Sequence, residues 1–414
     1  MPPMPPLAGK KLLICEEALI DQGGHYQTWI KAIRKMHLDA GAEVFVVGNR
    51  EMVPEVENDL SAWPTYSVNS WNQAESQKWP AWRRYLHVFA QNWRVFWQTR
   101  AAILRVKQCD MVLFTSVRVH HLLGLRVLCA WGLGRRFRGL TCFLLMSQAE
   151  YRNNFTEMVF PARSWLLAWT LRSFRKLAAS GRVILAGDSH VTCGEYEALS
   201  DVKMTLFPSP GNELRHTGGT RSREGLVFTM LGVSTWDKGI DVFHDAMELF
   251  LNRNPGSQAR FVVQWSVPCV GPDGDTKVVS DYLRKHPSVT LLERRLSNEE
   301  YATLFGGSDF IVLPYRRSTY FNRISGVAVE AAVSGKPMIV TEGTWLEWAM
   351  TEFGSGLSIP ENDLEALCAA LERCCESQAD FLAAAERRAE VALAYNSPDR
   401  YLGLLWCSVS VSVS

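Results

Sequence analysis

The chain has 414 residues, 47% hydrophobic and 21% charged, with a formal net charge of +1. That length exceeds one usual domain and makes two the default, and the composition excludes disordered and collagen-like classes. No run approaches the roughly 18 uncharged apolar residues of a spanning helix, and the start, MPPMPPLAGKK, has no apolar signal-peptide core. The ten cysteines are scattered, with no C-x-x-C and no Cys/His pattern at zinc spacing. Reduced thiols in the cytoplasm are therefore expected, with the vicinal Cys374-Cys375 read as thiols on a helix.

In chain order, residues 10–15 predict a first strand. The loop 16–24 follows, then a helix over 25–40 and a second strand over 43–48. The loop carries Gly23-Gly24, which lets backbone approach a ligand closely. Further strands are predicted at 110–116, 140–146, 182–186 and 204–208. Alternating strands and helices imply a parallel sheet. Residues 209–224 are rich in Pro, Gly, Ser, Thr and charge, which describes a linker.

Charge is unevenly spread. Residues 80–182 hold 17 Lys or Arg against three acids, a balance of +14, and the remainder balances to −13. The same segment carries Trp82, Trp93, Trp97, Trp131, Trp165 and Trp169. Basic residues among aromatics at helical spacing describe an interfacial surface for anionic lipid or a phosphate-bearing acceptor. They equally describe a core with a solvated basic face. No nucleic-acid reader motif accompanies the charge.

A new strand is predicted at 225–232. Residues 233–239, VSTWDKG, lead into a helix over 240–252. Strands follow at 260–265, 289–292 and 310–313. Ser297 with Glu300 three residues on reads as a capping box. A polar loop, 314–323, precedes Ser325-Gly326, where a helix with body 327–334 begins. Gly335 ends that helix and Pro337 introduces a strand at 338–340. Free N–H groups at such a small-residue helix start suit a phosphate. Glu330 lies about one and a half turns in, where its carboxylate can face a ligand docked there. Residues 361–393 read as one helix and 400–406 as a short apolar one; the tail SVSVSVS is expected to be loose.

These motifs resemble the donor-sugar site of GT-B glycosyltransferases, most closely retaining glycosyltransferase family 4. The family pattern is a Glu, seven residues, a second Glu, a small-residue stretch and Gly-x-Pro. Here the second Glu is Glu330 and Gly335-Lys336-Pro337 follows, while Asn322 occupies the first Glu position beside the donor sugar. The resemblance implies an α/β chain of two doubly wound Rossmann-like domains facing a cleft. It places an acceptor-side domain at 1–210, a linker at 211–224, a donor domain at 225–392, and a helix crossing back with a loose tail at 393–414. It implies that Glu330 binds the ribose hydroxyls, that Lys238 meets the donor phosphates, that Ser325, Gly326 and Val327 line the donor, and that Glu293 lies beside the base. The second positive charge that the family often places before the lysine falls to Arg323 or Arg317. Gly23 and Gly24 approach the donor diphosphate or the acceptor. The histidine that many members place after the strand corresponding to 140–146 is replaced by Ser147-Gln148-Ala149-Glu150. Glu150 joins Lys238, Arg323 and Asn322 as catalytic candidates, with His25, His120, Ser147 and Gln148 on the acceptor side.

The implied activity is transfer from a nucleotide sugar to a glycan or lipid-linked acceptor, with retention, in cell-surface polysaccharide or glycolipid synthesis. No cofactor or metal is expected, because no DxD-like pair ends a strand in the second half. A peripheral position on the inner face of the plasma membrane is expected through residues 80–182. A nucleotide-sugar epimerase and a non-catalytic binder of nucleotide sugar or glycan on the same fold stay open from the sequence.

Overall fold

Short apolar runs bounded by polar residues form parallel strands in two separate sheets. The computed structural model describes residues 7–21, 26–71, 79–130, 137–209 and 225–410. One unit comprises Met1–Pro210 with Pro398–Ser414, and the other Gly211–Ser397. The expected linker 211–224, Gly23, Gly24, His25, Trp131 and the last four residues lie outside the described residues.

In the first unit the strands are β1 (Lys11–Cys15), β2 (Glu43–Asn49), β3 (Trp63–Tyr66), β4 (Cys109–Phe114) and β5 (Phe137–Phe143). A small antiparallel pair follows, β6 (Glu150–Arg152) and β7 (Glu157–Val159), then β8 (Val183–Gly187) and β9 (Thr205–Leu206). The parallel sheet runs β3-β2-β1-β4-β5-β8-β9. Its register sets Leu12 beside Val44 on one side and Met111 on the other. Strands such as β8 are buried on both faces, as near-continuous Val/Ile/Leu runs require.

The second unit holds β10 (Val227–Met230), β11 (Arg260–Gln264), the antiparallel pair β12 (Cys269–Val270) and β13 (Thr276–Lys277), β14 (Val289–Leu292), β15 (Phe310–Leu313), β16 (Met338–Thr341) and β17 (Gly356–Ile359). Its sheet runs β14-β11-β10-β15-β16-β17. Each sheet therefore changes direction beside its first strand, between β1 and β4 and between β10 and β15. In open α/β sheets ligands bind beyond the carboxyl ends of the strands at such a reversal.

Several boundaries differ from the sequence reading. Thr115 and Ser116 lie past the end of β4. The single helix expected over 361–393 is two, Leu364–Glu376 and Gln378–Tyr395. The first is tied to helix Ile240–Arg253 by Arg253–Glu365 and Asn254–Glu372 hydrogen bonds. The second passes so close to Gly335 that a Cβ there would sit 3.2 Å from Glu386 Cα. The two helices thus have different packing partners and meet at Ser377. The last helix starts at Pro398 and runs to Ser410, so part of the expected loose tail is helical. It packs on the first unit, with the Tyr401 ring 5.1 Å from Phe207.

The long helix Ala81–Val106 buries Val88, Val95, Phe96, Ala102, Ile103 and Val106 but departs from the usual sorting of side chains at other positions. Gln91, Asn92 and Thr99 are buried, while Trp82, Trp93 and Trp97 are exposed. Most of the inward polar groups have partners: Gln91 Nε2 donates to Glu17, Thr99 meets the Tyr66 hydroxyl, and Asn92 bonds Val88, Val119 and Gly124 backbone. The Gly124 contact brings helix Val119–Ala130 so close that a Cβ at Gly124 would lie 2.3 Å from the Asn92 carbonyl oxygen. Gly124→Ala is expected to destabilise the protein by about 1–3 kcal/mol, the range of overpacking. Gly194→Ala, in helix His190–Ser200 with open space around the added Cβ, is expected to stabilise by up to about 1 kcal/mol. Urea unfolding of the two variants checks this, and effects of the same sign would contradict the packing.

Candidate active site

The reversal between β10 and β15 gathers most of the donor-side residues. After β10 the chain passes Gly232, whose φ of +108° lies in the left-handed region. A Cβ there would sit 3.2 Å from Lys238 Nζ. The Gly232 N–H donates to Gln264 Oε1 at 2.8 Å, and Gln264 Nε2 donates to the Arg294 carbonyl at 3.0 Å. Gly239 then lies flush on the end of β15, where a Cβ would be 2.0 Å from the Pro314 carbonyl oxygen. This contact sets Lys238 beside Tyr315, with Nζ 5.9 Å from the ring centroid.

Burial pulls the Lys238 ammonium below its usual pKa, Asp237 opposes the shift, and the nearby Arg323 charge adds to it. Among the described residues neither Lys238 nor Arg323 forms an ion pair. Two cations close enough to repel, one of them largely buried, favour a bound anion. Arg316 is committed elsewhere: it donates to Asp241 at 2.6 Å and covers Trp236. Arg317 lies against Gly343, and its backbone N–H donates to Glu361.

The loop after β15 ends at Ser325, which caps helix Gly326–Val333 by accepting from the Ala328 N–H. Gly326 is exposed, with open space where a side chain would be. The N–H groups of Gly326 and Val327 have no acceptor within their own helix. Asn322 and Arg323 precede this start in the same loop. One and a half turns along, Glu330 Oε2 accepts from the Tyr301 hydroxyl at 2.6 Å. Tyr301 follows the capping box at Ser297 and Glu300, 29 residues from Glu330, so spacing alone does not expose the pair. Glu293 is an exposed residue whose two carboxylate oxygens face the Arg284 guanidinium, at 2.5 and 2.8 Å.

The first unit carries a second polar cluster at its own reversal. Glu16, just past β1, accepts from Thr115 and Ser116 at 2.6 Å each and from the Ala18 N–H. Glu17 accepts from the Ser70 N–H and from Gln91, and lies 3.1 Å from His121 Nε2. All three titratable groups are buried. Burial drives Glu16 up to about 7, partly offset by its hydroxyl partners. Burial would also raise Glu17, but His121 wins and holds it at about 2. His121 is raised by Glu17 against the effect of burial. The sequence offers two signals for this cluster, the His120-His121 pair and two acids directly after an apolar strand, without showing that they meet.

Other acceptor-side candidates sit nearby in sequence but have structural partners. Buried Glu195 accepts from Ser147 Oγ at 3.2 Å, from the Gln148 N–H at 3.1 Å and from Tyr151 at 2.5 Å, so it fixes the loop after β5. Glu150 is exposed and 3.5 Å from Arg163. Burial, with the Arg118 charge, holds His120 down to about 3, neutral at pH 7. Among the described residues, one group has metal-ligand atoms close together: His244, Asp245 and Glu248. Lys277 donates to Asp245, and Ser280 bonds both His244 and Glu248, so these residues anchor the segment after β13.

The Glu16 environment yields a pH prediction. A carboxyl raised in the fold contributes stability below its ordinary value, and that contribution is lost as pH rises from 4.5 towards about 7. His121, raised against burial mainly by Glu17 and in part by Glu16, also loses its contribution as pH rises, and removing the Glu16 charge lessens that loss, in the same direction as the Glu16 effect itself. Between about pH 5 and pH 8, wild type is therefore expected to lose roughly 2–3 kcal/mol more stability than Glu16→Gln. Denaturant melts across that range check it; parallel pH profiles would mean that Glu16 is already ionised at pH 5.

Comparison with known proteins agrees with this architecture. Residues 225–377 match the family model described as Glycosyl transferases group 1. A search of curated proteins finds no match. Solved structures are similar along nearly the whole chain. A glycosyltransferase from Rickettsia africae has a TM-score of 0.63 at 12% identity, covering 98% of this chain and 99% of that one. Sucrose-phosphate synthase from Thermosynechococcus elongatus has 0.61 at 14%, covering 97% and 100%. Anabaena HepE in complex with UDP and glucose has 0.56 at 12%, covering 97% of each. The chain thus carries the GT-B fold of two Rossmann-like domains, and its second domain matches group 1 glycosyl transferases.

Proposed function

We propose that the chain is a glycosyltransferase that takes a sugar from a nucleotide-sugar donor and passes it, with retention, to a glycan or lipid-linked acceptor. The observation that carries this reading is the grouping at the β10/β15 reversal. Lys238, Arg323, the exposed start of helix Gly326–Val333 and Glu330 occupy one loop system within the matched segment. In the reaction the bond from the anomeric carbon to the diphosphate oxygen breaks. The acceptor oxygen bonds to that carbon, and its proton passes to the departing diphosphate oxygen. Negative charge grows on the departing diphosphate, and positioned cations and N–H groups lower the barrier by meeting it. Lys238, Arg323 and the N–H groups of Gly326 and Val327 supply those groups without a metal. Glu330, held in orientation by Tyr301, is assigned to the ribose hydroxyls. HepE with UDP-glucose, and the Escherichia coli protein bound with UDP-2-fluoro glucose, make UDP-glucose the first donor to try.

A thermal-shift panel of nucleoside diphosphates and nucleotide sugars tests donor binding; a ligand at 100 times its Kd is expected to add about 2.7 kcal/mol of stability. Glu330→Ala is expected to weaken donor binding by roughly 1.5–3 kcal/mol, the worth of charge-assisted hydrogen bonds. Unchanged calorimetric affinity in a folded variant would remove the ribose assignment.

Lys238→Ala and Arg323→Ala are expected to lower kcat more than they raise KM, because the charge they meet grows in the transition state. Chelator should leave wild-type turnover unchanged. Wild-type kcat in both variants would place the phosphate site elsewhere.

A further inference from the structure

The unusual sorting on helix Ala81–Val106 leaves an apolar stripe on its outer face. Trp82, Leu86, Phe89, Trp93 and Trp97 follow one another at three- and four-residue steps, and each is 46% to 64% exposed. The stripe continues onto a second helix. Trp165 Nε1 donates to the Tyr85 hydroxyl at 3.2 Å with the rings 6.2 Å apart, and Trp169, one turn on, is also exposed. The stripe is not surplus core, because the opposite face of the long helix is already buried through Val95, Phe96 and Ile103 and is tied to helix Val119–Ala130 by Asn92. A contiguous exposed apolar patch of this kind marks an interaction surface.

The charges around it choose the partner. Neither helix contains an Asp or Glu. Exposed Arg83, Arg84 and Arg94 flank the tryptophans, and the Arg100 guanidinium lies 5.4 Å from the Trp97 ring. Indole rings favour the headgroup level of a bilayer, and arginines can lay their stems along apolar surface while their heads reach anionic phosphates. Among the described residues no helix is long and apolar enough to cross a membrane. We infer that this face of helices Ala81–Val106 and Trp165–Ser173 docks on the surface of an anionic lipid bilayer. The helices lie in the interface, the tryptophans enter the headgroup region, and the arginines pair with lipid phosphates. This surface is independent of the donor site.

Co-sedimentation of the full chain with phosphatidylcholine vesicles, with and without phosphatidylglycerol, at low and high salt, tests the inference. Wild type should bind the anionic vesicles at low salt and partly release at high salt. Arg84→Glu/Arg94→Glu should weaken binding by roughly fivefold or more for each arginine lost. Trp93→Ser/Trp97→Ser should abolish the binding that resists salt. Both pairs are exposed, so circular dichroism and melting temperature should match wild type; should one pair misfold, the other decides. Absence of wild-type binding to anionic vesicles at low salt overturns the inference, as does binding that a folded variant leaves unchanged. Sedimentation velocity adds one more overturning result: a wild-type dimer that the serine variant dissociates, without vesicle binding, would make the partner a second copy of this chain.

Discussion

At Gly239 and Pro314 two backbones meet with no room for a side chain between them. A Cβ on Gly239 would lie 2.0 Å from the Pro314 carbonyl oxygen, and the glycine holds a φ of +67°. Only glycine accepts both the left-handed backbone and the contact without strain. The residues on either side inherit their places from this approach. Lys238 is carried over Tyr315, Ile240 starts its helix, and the Arg316 N–H donates to the Asp237 carbonyl. The cation is thereby held, largely buried, at the point where the strand order reverses.

The two sheets have the same reversal but fill it differently. Past β10 and β15 the second unit gathers positive charge and an exposed helix start. Past β1 and β4 the first unit gathers buried carboxylates, each with hydroxyl or histidine partners. In the first unit the carboxylates are held by hydroxyl, amide and histidine partners, which rigidifies the strand ends. In the second, Lys238 and Arg323 form no ion pair among the described residues, and an anion would complete the site.

Apolar runs were legible in the sequence because a run of four or five such residues between turn signals has little else to become; the fully buried 310–313 and the half-exposed edge strand 289–292 both match residue for residue. A short strand without such a run was not. β3 is Trp-Pro-Thr-Tyr at a sheet edge with only Tyr66 buried and a Pro within it, so no apolar run or alternation marks it. The direction of helix Ala81–Val106 was illegible for another reason. Its tryptophan stripe and its Gln91-Asn92-Thr99 face both have helical spacing, and only hydrogen-bond partners far along the chain decide which one turns inward. The same limit hid Tyr301, Gln264 and the Glu16–Glu17 pair. In the donor segment the order Lys238, Arg323, Ser325, Glu330 was legible because one strand–loop–helix unit carries its last three members.

The central claim is that the β10/β15 reversal binds the diphosphate of a nucleotide sugar. A crystal structure of the chain with UDP bound tests it most directly. The account predicts diphosphate oxygens within hydrogen-bond distance of Lys238 Nζ and of the Gly326 or Val327 N–H, with the ribose hydroxyls on Glu330. A diphosphate bound away from Lys238 and from the start of helix Gly326–Val333 would contradict it.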